Sequence, residues 1–306
     1  MTESKLVFAT RKSALALAQS RAFVARLVAA AGADAPTIEE LHVTTSGDRF
    51  VEQRLQDIGG KGLFIKELEE ALLDRRADFA VHSIKDVPAE LVPGLHIACI
   101  PLREDPRDVL ITRGNVPLDE LPNGARLGTS SLRRALFMKR LRPDLQIETL
   151  RGNVDTRMRK VEEGQYDAIV LAYAGLKRLG IESRATRVLS PEESLPAVGQ
   201  GALGVECRQN DAAVEGLLSK VHHAETAVCV AAERAVMARV GGNCRMPIAA
   251  HAVREATALV LRALVADADG SNPREGMRRV DYPVGERAEE EARRVGEDLG
   301  GELAKG

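Results

Sequence analysis

The chain has 306 residues, 44% of them apolar, and its 43 Lys and Arg against 45 Asp and Glu leave a net charge of −2. That balance excludes a bulk basic field aimed at nucleic acid or an anionic membrane, and six Phe, three Tyr and no Trp leave few platforms for stacking bases. The length exceeds one ordinary core and predicts two or three domains, while no apolar run approaches the roughly 18 residues of a membrane span.

Strand and helix signals alternate from the start. The opening residues run without a signal-peptide core into a buried strand over Leu6 to Thr10, and Ser13 caps an Ala- and Leu-rich helix through about Ala31, ended by Gly32. Ile38 to Thr44 alternates as a strand. Lys61 to Arg76 carries a helical apolar stripe, with Phe79-Ala80-Val81 as the next strand. This is the rhythm of an α/β fold with a mostly parallel sheet. After Ile100-Pro101 a polar, proline-broken stretch (103–108) opens a second unit: strand Val109 to Thr112, helix Ser131 to Leu141, strand Ile147 to Leu150, helix Val154 to Glu163 and strand Ala168 to Ala172. It closes near Ser190-Pro191-Glu192-Glu193. Gly201 to Glu206 reads as one more strand, able to join either sheet. The last third changes character, with a long helix over Ala224 to Val240, strands over Ile248 to Val253 and Leu259 to Val265, and a charged helix from about Glu286 to Leu299. An α+β module of about 80 residues fits that pattern.

The four cysteines, Cys99, Cys207, Cys229 and Cys244, contain no C-x-x-C pair, which argues against a zinc knuckle or a thioredoxin motif and for a reducing, cytoplasmic setting. Only His222-His223 are clustered among the histidines, and a metal there would have to recruit Glu225 or Cys229 from a structural helix, so no metal site is expected. Cys244 differs from the other cysteines. It sits in Gly241-Gly242-Asn243-Cys244-Arg245-Met246-Pro247, a bent loop where a thiol is accessible to chemistry.

Charge is uneven along the chain. Between Arg126 and Lys160 ten basic residues face three acidic ones, a local excess of +7. Lys139, Arg140 and Arg142 read as surface. Arg133, Arg134, Arg151 and Arg157 stand beside Thr129-Ser130-Ser131 and Gly152, where strands end and helices begin, the place where α/β sheets bind anions. Arginine forks take carboxylate or phosphate bidentately, so a polyanionic ligand is expected. Arg11 and Ser13 repeat the arrangement at the first strand-to-helix junction. His82-Ser83-Ile84-Lys85-Asp86-Val87-Pro88 follows the third strand, and Pro88 stops any helix, placing Lys85 and Asp86 at a strand end. A carboxylate beside an ammonium can hold a cationic substrate group and exchange protons with it, and equally can be a surface ion pair. Gly59-Gly60-Lys61-Gly62 lacks the spacing of a nucleotide phosphate loop; a glycine-hinged segment carrying Lys61 and Phe64 over a cleft is the better reading.

Taken together, ATRKSALALAQ (9–19), GGKGLFIKELE (59–69), HSIKDVP (82–88), GTSSLRR (128–134), LRGNVDTR (150–157), LAYAGLKRLG (171–180), AVGQGALGVE (197–206) and the stretch from Glu233-Arg234 to Pro247 resemble the porphobilinogen deaminases, also called hydroxymethylbilane synthases. The resemblance implies two periplasmic-binding-protein-like domains with mixed, mostly parallel sheets plus a smaller C-terminal α+β domain: 1–101 with 202–219, 107–195, and 224–306. It implies a transferase of porphyrin and heme biosynthesis that joins four porphobilinogen molecules head to tail with loss of ammonia, then releases the linear tetrapyrrole by hydrolysis. A dipyrromethane cofactor, held by a thioether to Cys244, is implied with it, as are a monomeric state and no nucleic-acid or membrane partner. By motif position the catalytic carboxylate is Asp86. The cofactor falls to Cys244, Ser83, Lys85, Asp86, Thr129, Ser130, Ser131, Arg133, Arg134, Arg151 and Gly152, and the substrate to Arg11, Ser13, Phe64, Arg151, Arg157, Arg178 and Gln200. Asn243 and Met246 depart from the small and β-branched residues expected beside the cysteine. The non-enzyme alternative, a cytosolic polycarboxylate-binding protein on the same two-lobed fold, leaves Asp86 and Cys244 idle.

Overall fold

The structure is a computed structural model that describes residues 5–46, 65–241 and 246–305. In chain order the elements are β1 (Lys5–Arg11), α1 (Ala14–Ala31), β2 (Thr37–Val43), α2 (Lys66–Leu73), β3 (Phe79–Ser83), β4 (Leu95–Cys99), β5 (Asp108–Thr112), β6 (Arg126–Gly128), α3 (Leu132–Leu141), β7 (Gln146–Glu148), α4 (Val154–Glu162), β8 (Ala168–Ala172), α5 (Tyr173–Leu179), β9 (Arg187–Val188), β10 (Leu203–Arg208), α6 (Ala212–Leu218), α7 (Ala224–Arg239), β11 (Ile248–Glu255), β12 (Ala258–Val265), β13 (Arg274–Asp281) and α8 (Ala288–Lys305). They divide into two compact units, residues 1–103 with 202–227 and residues 104–201 with 228–306.

In the first unit a five-stranded sheet has the order β2-β1-β3-β10-β4. β1 pairs in parallel with both β2 and β3, and β10 is antiparallel to β3 and β4, so four strands run one way and one runs against them. The strand over Gly201 to Glu206, open between two sheets in the sequence, therefore returns to the first. α1 begins where expected: Ser13 Oγ accepts the Ala16 N–H at 3.3 Å, and Gly32 ends the helix at φ 65°. Its Phe23 and Leu27 pack with Phe8, Phe79 and Val205 in the core. Contrary to the sequence expectation, Ala14–Asp34 is long and apolar enough to cross a membrane by length and composition. The alanines that raise its hydropathy lie partly on an outer face that also carries Arg21, ion-paired with Glu40 at 2.9 Å.

The second unit contains a sheet of the same plan, β7-β6-β8-β5-β9, with β6 parallel to β7 and β8, and β5 antiparallel to β8 and β9. The strand that runs against the others is β5 here and β10 in the first sheet. These strands lie at the two places where the chain passes from one unit to the other, so each sheet is completed by a crossing segment. The same unit holds a three-stranded antiparallel meander, β11-β12-β13. Alternate residues of its strands bury against α7 and α8, where Leu259, Leu261, Ala232, Val236, Ala292 and Leu299 form one cluster. The helices meet through small residues: a Cβ at Gly296 would lie 2.1 Å from the Ala232 carbonyl oxygen. These are the mixed sheets and the small C-terminal α+β module of the expected fold class.

Candidate active site

In the first unit the candidate residues gather at the carboxyl end of the parallel strands. β3 ends at Ser83, and a single 3₁₀ turn, Ile84–Asp86, follows, closed by the Val87 N–H donating to the Ile84 carbonyl at 3.0 Å. Ile84 fixes this turn. Its N–H donates to the Ala202 carbonyl at 3.1 Å, and its side chain is buried against Gly204, where a Cβ would come within 2.4 Å of Cδ1. With Ile84 and Val87 buried, Lys85 and Asp86 are left exposed between them. Ser83 Oγ donates to Gln19 Oε1 at 3.2 Å, tying the strand end to α1. The β1–β3 register, Phe8 with Phe79 and Ala9 with Ala80, brings Arg11 and Ser13 to the same end of the sheet. Below them His82 shares a 3.0 Å contact with Glu206, both buried.

In the second unit the two turns expected to bind anions are joined by their own hydroxyls. β6 ends at Gly128, where a Cβ would meet Tyr166 at 2.8 Å and Leu150 at 2.9 Å, so glycine leaves room for these side chains to pack. Thr129 Oγ1 accepts the Ser131 N–H at 3.1 Å, Ser131 Oγ caps α3 by accepting the Arg134 N–H at 3.4 Å, and Ser130 Oγ donates to the Leu150 carbonyl at 2.7 Å. That last bond draws the 129–131 turn to the turn carrying Arg151 and Gly152. Gly152 has φ 113°, and a Cβ on it would lie 2.9 Å from Thr156. Arg157 Nε donates to the Gly152 carbonyl at 2.7 Å, and Arg178 Nη2 donates to the Gly201 carbonyl at 2.6 Å.

Arg133 and Arg134 turn inward. Asp108, fully buried at the start of β5, accepts from Arg133 Nη1 at 2.7 Å and Ser194 Oγ at 2.8 Å through one oxygen, and from Arg134 Nε and Nη2 at 3.1 and 2.9 Å and Gln200 Nε2 at 2.9 Å through the other. Arg133 also donates to the Leu195 carbonyl at 2.7 Å and Arg134 to the Val170 carbonyl at 3.1 Å. Burial alone would raise the Asp108 pKa, but the two guanidinium charges and their hydrogen bonds hold it well below the usual carboxylate range. One carboxylate against two guanidinium groups leaves this buried cluster with a positive excess. Sequence reading missed Asp108 and Ser194. The only signal was an acidic residue directly before the apolar Val109-Leu110-Ile111, in a stretch that reads as polar linker.

The remaining site residues lie elsewhere or outside the description. Phe64, Lys61, the Gly59–Gly62 run, Asn243 and Cys244 are outside the described residues. Met246, just after the cysteine loop, is half-buried against the C-terminal core. Lys139 and Arg140 are exposed as expected, whereas Arg142 is a strut whose Nη2 donates to the Leu121 carbonyl at 2.7 Å. The two adjacent histidines serve the backbone: His222 Nδ1 accepts the Ile100 N–H at 3.3 Å, and His223 Nδ1 accepts the Thr226 N–H at 3.2 Å at the start of α7.

Comparison with known proteins places these motifs. Residues 6–216 match the family described as porphobilinogen deaminase, dipyromethane cofactor binding domain, and residues 227–305 match porphobilinogen deaminase, C-terminal domain. A porphobilinogen deaminase from Sorangium cellulosum (strain So ce56) is 64% identical over 303 residues, covering 99% of each chain. Among solved structures, a periplasmic VFT2 domain of Bordetella pertussis BvgS (double mutant) is 17% identical at a TM-score of 0.42, covering 71% of this chain and 86% of its own. A periplasmic sulfonate-binding protein SsuA from Methylobacillus flagellatus KT is 11% identical at 0.41, covering 76% and 68%. With both family models matched in order along nearly its whole length, and a relative this close, the chain belongs to the porphobilinogen deaminase family.

Proposed function

We propose that this chain condenses four porphobilinogen molecules head to tail with release of ammonia and then hydrolyses the product to hydroxymethylbilane, with Asp86 as its catalytic carboxylate and Cys244 as the anchor of a dipyrromethane. The observation that carries the residue assignment is the 3₁₀ turn at Ile84–Asp86, whose buried Ile84 leaves a carboxylate and an ammonium exposed side by side at the carboxyl end of β3.

The donor set of the second unit fits the cofactor. A dipyrromethane made from porphobilinogen carries acetate and propionate groups on each ring. The hydroxyls of Thr129, Ser130 and Ser131 at the start of α3, with Arg151 and the backbone at Gly152 and with the positive excess of the buried Arg133 and Arg134 behind them, form a positively charged set suited to carboxylates. When bound, the group supplies the pyrrole to which the first substrate is joined. In the first unit Ser83, Lys85 and Asp86 are assigned to the same group, and Arg11 and Ser13 to a substrate carboxylate. Arg157, Arg178 and Gln200 have the same assignment in the second unit.

Asp86 acts on the substrate's own chemistry. When the C–N bond of protonated aminomethyl breaks, the electron pair leaves with ammonia and an azafulvenium cation remains, conjugated to the pyrrole N–H. A carboxylate beside that N–H stabilises the positive charge as it develops. Once the acceptor pyrrole has formed the new C–C bond, the same carboxylate can take up the proton that pyrrole must lose to regain aromaticity. Lys85, next to it, balances the carboxylate and can pair with a substrate carboxylate.

The proposal includes a cytoplasmic monomer without nucleic-acid or membrane partners. It is supported by the buried thiols of Cys99 and Cys207, which form no disulfide, and by the near-neutral charge. Intact-protein mass spectrometry tests the anchor. Protein from a host that makes porphobilinogen is expected to carry the mass of two linked pyrrole units, and Cys244→Ala is expected to lack it. An unmodified wild-type chain, or an increment that survives Cys244→Ala, overturns the assignment.

A further inference from the structure

β4 and β10 are antiparallel neighbours in which His96 stands directly opposite Cys207. Residues so paired project from one face of a sheet, and α6 brings Glu215 to that face. Cys207 Sγ lies 3.5 Å from His96 Nε2, and His96 Nε2 lies 3.0 Å from Glu215 Oε1; the three ligand atoms are all within 4.8 Å of one another. A tetrahedral zinc ion, with bonds of about 2.3 Å to sulfur and about 2.0 Å to nitrogen, sets those two atoms about 3.5 Å apart. The sulfur–nitrogen edge of such a tetrahedron is therefore already in place. The nitrogen–oxygen edge needs only a small opening, which the Glu215 side chain, 34% exposed, has room to make.

The two sides of the cluster differ in the way an accessible metal site requires. Cys207 is completely buried, whereas His96 is 37% exposed, giving an entry path and room for a water as the fourth ligand. The local field suits a dication. Glu215 and Asp211 add negative charge near the sulfur, and Arg208 is engaged by Asp78 and Asp211, each at 3.0 Å. Thiolate, imidazole and carboxylate together select zinc over magnesium or calcium, which prefer all-oxygen sites.

We propose that His96, Cys207 and Glu215 form a binding site for one zinc ion, clamping β4, β10 and α6 together. The site is separate from the proposed catalytic turn. Along β10, Leu203 pairs with Ser83 and Cys207 with Phe79, so the cluster is level with the opposite end of β3, about 13 Å along the strand from Ser83. Its role is to stabilise the first unit. Zinc forms its bond to sulfur as the thiol proton leaves to solvent.

The test uses full-length protein with its cofactor, stripped with a chelator and titrated with Co²⁺ and then Zn²⁺. One Co²⁺ per chain is expected, with a thiolate-to-metal charge-transfer band that zinc displaces, and zinc is expected to raise the thermal midpoint. The band should vanish in Cys207→Ala. Should Cys207→Ala not fold, Glu215→Gln, altered at a partly exposed side chain, is expected to melt normally without metal and to bind zinc at least tenfold more weakly. Absence of a charge-transfer band in the wild type, a band that survives Cys207→Ala, or zinc affinity unchanged in Glu215→Gln overturns the proposal.

Discussion

Asp108→Asn probes the buried cluster that positions Arg133 and Arg134. The carboxylate accepts five hydrogen bonds, three from guanidinium nitrogens, one from Ser194 and one from Gln200. An asparagine of nearly the same shape offers one acceptor oxygen, so its NH₂ must face either Arg133 and Ser194 or Arg134 and Gln200. Either way two guanidinium groups, 4% and 7% exposed, lose their counter-charge. Removing one partner of a buried pair costs about 3–5 kcal/mol, a large part of the roughly 5–15 kcal/mol that holds a domain folded. Urea denaturation followed by circular dichroism should show the midpoint falling by about 1 M or more at unchanged slope. The pH dependence follows from the lowered Asp108 pKa. The unfolded chain binds a proton near the ordinary carboxylate value of about 4 while the folded chain does not, so the stabilisation is complete above that pH and is lost as pH falls below it toward the folded value. Wild type should therefore lose stability more steeply than Asp108→Asn between pH 5 and 3. A midpoint shift under about 0.3 M, or parallel acid profiles, would refute the claim that Asp108 is the buried counter-charge of these arginines.

Three glycine substitutions test other parts of the account. Gly204→Ala drives a Cβ to within 2.4 Å of Ile84 Cδ1, so the side chain that anchors the 3₁₀ turn must give way. Turnover should fall at least tenfold while the melting temperature drops by only a few degrees, measured as ammonia release alongside thermal unfolding. Gly152→Ala forces φ 113° on an alanine whose Cβ meets Thr156 at 2.9 Å, a strain of about 1–3 kcal/mol, and mass spectrometry should show a smaller fraction of chains carrying the cofactor. Gly296→Ala sets a Cβ 2.1 Å from the Ala232 carbonyl oxygen between α7 and α8, and overpacking of about 1–3 kcal/mol should lower the thermal midpoint by several degrees.

The fold was legible wherever local signals decide structure. Ser13 and Gly32 bracket α1 because a hydroxyl cap and a positive-φ glycine are chemistry written into single residues. Long-range pairing was less legible. The strand after Gly201 was evident, but which sheet it joins depends on partners more than a hundred residues away. β13 was missed because its sequence, Arg274 to Asp281, is charged and alternates at the edge of a three-stranded meander, where only every second side chain meets the core. The same limit applies to the chemistry. Lys85 and Asp86 announce themselves through Pro88, which breaks the chain locally, whereas Asp108 gains its meaning from arginines 25 and 26 residues away. His96 and Cys207 are 111 residues apart and form a pair only through strand register.

Ammonia release from porphobilinogen by cofactor-loaded Asp86→Asn, beside the wild type, tests the central claim most directly. The amide keeps the shape of the side chain but removes the charge that stabilises the azafulvenium cation and the base that takes the proton. The wild type is predicted to turn over, and Asp86→Asn to lose nearly all turnover while mass spectrometry still finds the cofactor in place. Normal turnover by that variant would contradict the role assigned to Asp86.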